Sequence, residues 1–96
     1  MHDLDFLSTL EGIIDARIAA GDAGSYTVKL AAGGPHAPAK KLGEEGVEVA
    51  LAGVSEDTDR LTAESADLLY HLLVLLAMRK LRLADVVTEL EQRHKH

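Results

Sequence analysis

The run LLYHLLVLLAM, from Leu68 to Met78, carries eleven residues without a formal charge. A bilayer-spanning helix needs about 20 apolar residues, so the run is too short to cross a membrane and reads as a core helix. Its make-up says what that core is built from. The aromatic residues of the whole chain are Phe6, Tyr26 and Tyr70, while 47% of the residues are hydrophobic. The interior must therefore be aliphatic, mostly Leu, Val and Ala, the palette of a helical protein. Ninety-six residues make a single domain, 1–96, able to bury roughly 60–70% of its unfolded surface. A small aliphatic core gains burial by self-association, so a homo-oligomer is expected.

The remaining punctuation divides the chain into helices. Leu7, Leu10, Ile14 and Ile18 fall at the spacing of an apolar helical face. They predict a first helix over 4–20, with Asp3 as its cap and Gly21 as its stop. Ser25 is placed to cap a short helix through Ala32. GGPHAP reads as a loop. A second long helix follows from about Pro38 to Gly53, with Val47, Leu51 and Val54 on a second apolar face that makes it a buried element. SEDTD makes a polar turn with Ser55 or Asp57 as cap. A third long helix covers about 59–80, and a last one about 84–94, with Val86, Val87 and Leu90 facing inward. Its start is poorly signalled, because Arg82 stands where Ser or Asp is usual. The fold class expected is all-α: three long helices plus a short one, completed as a four-helix-type core in a homodimer.

The composition also excludes partners. The net charge is −6, with no basic stripe for a nucleic-acid backbone. There is no cysteine, so disulfides and thiolate zinc sites are ruled out. Asp3 and Asp5 stand where an export signal carries lysines. The expected compartment is the cytoplasm.

Against this background the carboxylates are conspicuous. KKLGEEGVEVALAG places Glu44, Glu45 and Glu48 in an apolar stretch, and Glu64 and Asp67 open the core run. Residues three or four apart share a helix face, so Glu45 and Glu48 lie side by side, as do Glu64 and Asp67. A short connection makes the two helices antiparallel neighbours, and the pairs face each other. A solvated, salt-bridged face is the plain alternative, since Lys40–Glu44, Lys41–Glu45 and Arg60–Glu64 are all at i, i+4. Lys before Glu is the weaker order for such a pair, and Lys40 and Lys41 fall where the helix dipole repels cations. Four carboxylates in one gap need a counter-charge. Oxygen-only ligands suit Mg²⁺, with Mn²⁺ as a substitute, and Mg²⁺ commonly shares its shell with substrate phosphates.

The pattern E-E-x-x-E, fifteen intervening residues, then E-x-x-D resembles the all-α nucleoside triphosphate pyrophosphatase (MazG-like) superfamily. Within it, SYTVKL, KKLGEEGVEVALA, ESADLLYHLLVLLA and VVTELEQRH are similar to the phosphoribosyl-ATP pyrophosphatase family of histidine biosynthesis. The resemblance runs from about Ser25 to His94. It implies Mg²⁺-dependent hydrolysis of phosphoribosyl-ATP to phosphoribosyl-AMP and pyrophosphate by a cytoplasmic homodimer. It also implies the stand-alone form of a domain often fused to phosphoribosyl-AMP cyclohydrolase, which then becomes a possible separate partner. Lys80 and Arg82 depart from the family's usual Gly and Asp.

The spacing and the resemblance together make Glu45, Glu48, Glu64 and Asp67 metal ligands. Glu44 has two readings, a residue that holds or deprotonates the attacking water or a surface partner of Lys40. The resemblance makes Lys29 and Lys41 phosphate contacts, with Lys40 solvated. Ser25, Tyr26 and Thr27 either offer hydroxyls to phosphate or ribose, or serve capping and packing. His71 either orients Asp67 or is a satisfied core histidine. Tyr70 reads as core, and His36, His94 and His96 as solvated. Two other functions stay open: a nucleotide-clearing pyrophosphatase of the same superfamily, and a non-catalytic acidic dimerisation module.

Overall fold

A computed structural model of the chain describes residues 4–55 and 57–95. Asp3 as a cap, Glu56 of the polar turn and His96 lie outside the described residues. Five helices follow one another: α1 (Phe6–Ala20), α2 (Tyr26–Ala31), α3 (His36–Val54), α4 (Thr58–Met78) and α5 (Leu83–Arg93). No strand occurs among the described residues, and the all-α expectation holds.

Local chemistry accounts for most of the boundaries. Gly21 ends α1 in the left-handed conformation (φ 66°), its N–H bonded to the Arg17 carbonyl at 3.1 Å. Ser25 caps α2 by accepting from the Val28 N–H at 3.4 Å. Asp57 caps α4 by accepting from the Arg60 N–H at 3.1 Å.

Several boundaries differ from expectation: α1 begins at Phe6 rather than Leu4, α4 ends at Met78 rather than Lys80, and both ends of α3 move. Helix α3 begins at His36 rather than Pro38, because a first-turn proline loses only an N–H that has no helical partner. It also runs through Gly53 to Val54. There Ser55 bonds back to the Ala52 carbonyl through both its N–H and its hydroxyl.

The core is small. Ile14 of α1, Leu30 of α2, and Leu73 and Val74 of α4 form its buried cluster, with Leu7, Leu10, Ile18 and Tyr70 packed on its edge. Helices α3 and α4 make the main pairing. Their order is antiparallel, since Glu48 reaches Arg60 while the earlier Glu45 lies by the later Glu64 and Asp67. Helix α4 is long and apolar enough to cross a membrane by length and composition alone. It nonetheless carries Asp59, Arg60, Glu64 and Asp67 and buries His71, Leu73 and Val74 against the protein.

The expected inward face of α5 is corrected. Val87 and Leu90 are about half exposed, and α5 buries no residue. The start of the helix is tied to α1, where Glu11 accepts from the Leu83 N–H at 2.8 Å and Arg82 pairs with Asp15. The second apolar face of α3 is also not buried: Val47, Leu51 and Val54 are all more than half exposed.

Candidate active site

The antiparallel pairing of α3 and α4 decides where the carboxylates go. Each helix turns its acidic face toward the other near the middle of α3 and the second and third turns of α4. Ligand oxygens of Glu45, Glu64 and Asp67 lie within 4.8 Å of one another. Around them Lys41, Glu44, Glu48, Glu64, Asp67 and Glu45 line one open hollow of about 470 Å³. Glu45 is the anchor of the group, only 8% exposed. Asp67 sits at the exposed end, and Glu64 lies between.

Two cations attend the hollow. Lys41 Nζ lies 3.5 Å from Glu45 Oε1. The hydrogen bond and charge of Glu45, together with the nearby Tyr26 phenol and Glu44, hold the Lys41 ammonium above the usual lysine range. Arg60 reaches Glu48 at 3.5 Å, with both side chains half exposed, instead of its i, i+4 neighbour Glu64. Glu48 therefore lines the hollow without joining the three converging carboxylates.

The hydroxyl residues divide. Tyr26 stays half exposed and its Oη lies 2.6 Å from His71 Nε2. Ser25 caps α2, as its alternative reading has it. Thr27 follows its packing alternative: it is 1% exposed and its hydroxyl pairs with Tyr70. Packing α2 against α4 turns that side chain into the core. Lys29 is exposed on α2, outside the residues that line the hollow. Lys40 is exposed, as expected. His71 is buried and its Nδ1 lies 2.7 Å from the Asp67 backbone carbonyl. It thus touches Asp67 through the main chain and not through the carboxylate. His36 opens α3 and His94 follows α5, both exposed.

The donor set fits a hard divalent cation. Three carboxylate oxygens converge, the chain has no cysteine thiolate to offer, and one lysine cannot neutralise three negative charges. Mg²⁺ and Mn²⁺ favour such all-oxygen sites. The contribution the sequence did not signal is Arg60, whose reach to Glu48 depends on the interhelical register.

Comparison with known proteins gives a uniform answer. Residues 7–94 match the family profile described as phosphoribosyl-ATP pyrophosphohydrolase. The chain is 54% identical over 89 residues to a protein of Pyrobaculum calidifontis named phosphoribosyl-ATP pyrophosphatase, covering 93% of this chain and 95% of that one. It is 53% identical over 87 residues to a protein of Methylobacterium nodulans with the same name, covering 91% and 81% of the two chains. A third relative, from Campylobacter jejuni, is named histidine biosynthesis bifunctional protein HisIE. It is 50% identical over 93 residues, and the match spans 45% of its length.

Proposed function

The chain belongs to the phosphoribosyl-ATP pyrophosphohydrolase family, and from that premise we propose that it hydrolyses phosphoribosyl-ATP to phosphoribosyl-AMP and pyrophosphate, with Mg²⁺ as cofactor. The observation that carries the cofactor is the meeting of Glu45, Glu64 and Asp67 within 4.8 Å beside a lysine.

Glu45, Glu64 and Asp67 would hold Mg²⁺, with Glu48 completing the acidic lining. When bound, Mg²⁺ supplies charge neutralisation to the phosphates. Lys41 stays an ammonium well into alkaline solution and offsets charge gathering on the departing group. Glu44, on the exposed rim, takes a proton from the attacking water. The new bond joins the water oxygen to the α-phosphorus. The bond to the bridging oxygen breaks, and pyrophosphate leaves. Lys29 remains a phosphate contact only if a bound substrate reaches beyond the hollow to α2.

We propose a homodimer as the working form, supported by the exposed apolar side chains Val47, Leu51 and Val54 on α3 and Leu69 on α4. The cytoplasm is the compartment that fits a biosynthetic step of this kind. A separate phosphoribosyl-AMP cyclohydrolase is a proposed partner, suggested by the two-part relative.

The test is pyrophosphate release from phosphoribosyl-ATP, beside ATP and a deoxynucleotide panel, with Mg²⁺ and with EDTA. Release from phosphoribosyl-ATP alone, abolished by EDTA, is the expected result. Release from the deoxynucleotides instead would move the chain to a nucleotide-clearing role. No release from any of them would leave an acidic helical module.

A further inference from the structure

With a neutral ring, His71 has a single arrangement of its protons that satisfies both of its neighbours. The Asp67 backbone carbonyl at 2.7 Å can only accept a hydrogen bond, so Nδ1 of His71 carries the proton and donates it. In the neutral ring Nε2 is then a bare lone pair. Tyr26 Oη, 2.6 Å from that lone pair, must donate its own proton to it. The three groups sit at one junction of α2 and α4. The His71 ring is 6% exposed and stands edge-on to Tyr26, with ring centroids 5.7 Å apart. Tyr26 is 51% exposed.

The consequence is directional. With its proton committed to His71, the Tyr26 hydroxyl offers outward only lone pairs. It repels a phosphate oxygen, which is also an acceptor, and attracts a donor. Tyr26 lies beside the residues of the acidic hollow, since His71 ties it to the backbone of Asp67, whose side chain lines that hollow.

We infer that Tyr26 is a specificity-determining residue that accepts a hydrogen bond from a neutral donor on the substrate, a ribose hydroxyl or an exocyclic amine, and takes no part in holding phosphate. His71 is the positioning residue that imposes this polarity. The inference rests on the nucleotide-hydrolase reading above and narrows it. The phosphates belong to the lysine and carboxylate side of the hollow, and the nucleoside or sugar part lies against α2. A site built to accept from a hydroxyl discriminates strongly against an analogue that lacks it, because the acceptor is left unpaired.

Two measurements test it. Nitrogen-15 NMR of the full chain at neutral pH should find His71 protonated at Nδ1 and bare at Nε2; the opposite tautomer, or a ring protonated at both nitrogens, overturns the inference. Kinetics of Tyr26→Phe, which keeps the ring and removes the oxygen, should raise KM for phosphoribosyl-ATP about tenfold with kcat within about twofold. Inhibition by pyrophosphate with Mg²⁺ should stay within about twofold of the unmodified chain.

An unchanged KM, or pyrophosphate inhibition that weakens in step with KM, overturns the assignment. Substrate analogues lacking one ribose hydroxyl, or carrying hypoxanthine for adenine, identify the donor. The penalty of Tyr26→Phe disappears for the analogue that has lost it, and a penalty undiminished with every analogue counts against the inference. If the unmodified chain does not turn over phosphoribosyl-ATP, the functional proposal fails, while the NMR result still judges the polarity of Tyr26.

Discussion

Glu45 is a nearly buried carboxylate with one lysine 3.5 Å away and two further carboxylates within 4.8 Å. Such an arrangement is costly for folding unless something positive enters it. Mutation of the cluster should therefore separate function from stability. Asp67→Asn and Glu45→Gln are expected to cut turnover by at least about 100-fold, since residues acting as one unit fail together. The helical circular-dichroism spectrum should remain, and the rise in melting temperature on adding Mg²⁺ should vanish. Cation binding at 100 times its Kd is worth about 2.7 kcal/mol to the folded state, so calorimetry will see its loss. Normal turnover in both variants would remove these residues from the site. At this scale the sequence was informative because helical spacing alone puts Glu45 beside Glu48 and Glu64 beside Asp67. It did not reveal that Arg60 holds Glu48, or that Thr27 turns inward, since both depend on how two helices meet.

Among the elements, α5 and the end of α4 show the chain's compromises. Lys80 sits in the left-handed region at φ 60°, with its N–H on the Ala77 carbonyl and the Leu81 N–H on the Leu76 carbonyl at 2.8 Å. This is the closure that glycine normally makes. Lys80→Gly should stabilise the fold by about 0.5–1 kcal/mol, the left-handed penalty less glycine's entropy, and a denaturant titration would detect it. Arg82 is a poor cap by type, and the sequence left the start of α5 unexplained. The structure supplies the missing acceptors from two directions: Asp85 takes the Arg82 N–H at 2.8 Å, and Glu11 takes the Leu83 N–H across from α1. Replacing Glu11 with Ala should cost about 1 kcal/mol, the worth of a cap. Hydrogen exchange should show α5 opening ahead of α3 and α4. Equal protection of α5 in the variant would mean that its attachment lies elsewhere.

For the molecule as a whole, the radius of gyration is 14.6 Å, where a compact chain of this length has about 12.5 Å. The buried hydrophobic residues among those described are Ile14, Leu30, Ala52, Leu73 and Val74. An open shape and a small core go with exposed aliphatic side chains on α3, α4 and α5. A second copy over the α3 face would bury those of α3. Leu51→Glu places a charge in that face and should shift sedimentation from dimer to monomer. It should also lower the melting temperature and make the melting of the unmodified chain, but not of the variant, concentration-dependent. A monomeric unmodified chain at micromolar concentration would refute the dimer.

The amino-acid order alone determined the helices, because aliphatic periodicity, a serine, an aspartate and a glycine at helix ends act over a few residues. It also determined which carboxylates could share a face. Tertiary structure decided what such short-range rules cannot reach. It chose the face of α3 that stays uncovered, against a pattern apolar on both sides. It brought Glu11 to cap α5 from the far end of the chain. It set the proton of Tyr26, by seating a histidine between that hydroxyl and a backbone carbonyl 41 residues further along the chain. Each of these depends on groups distant in sequence meeting at hydrogen-bond distance, and only the packing of helix on helix fixes that.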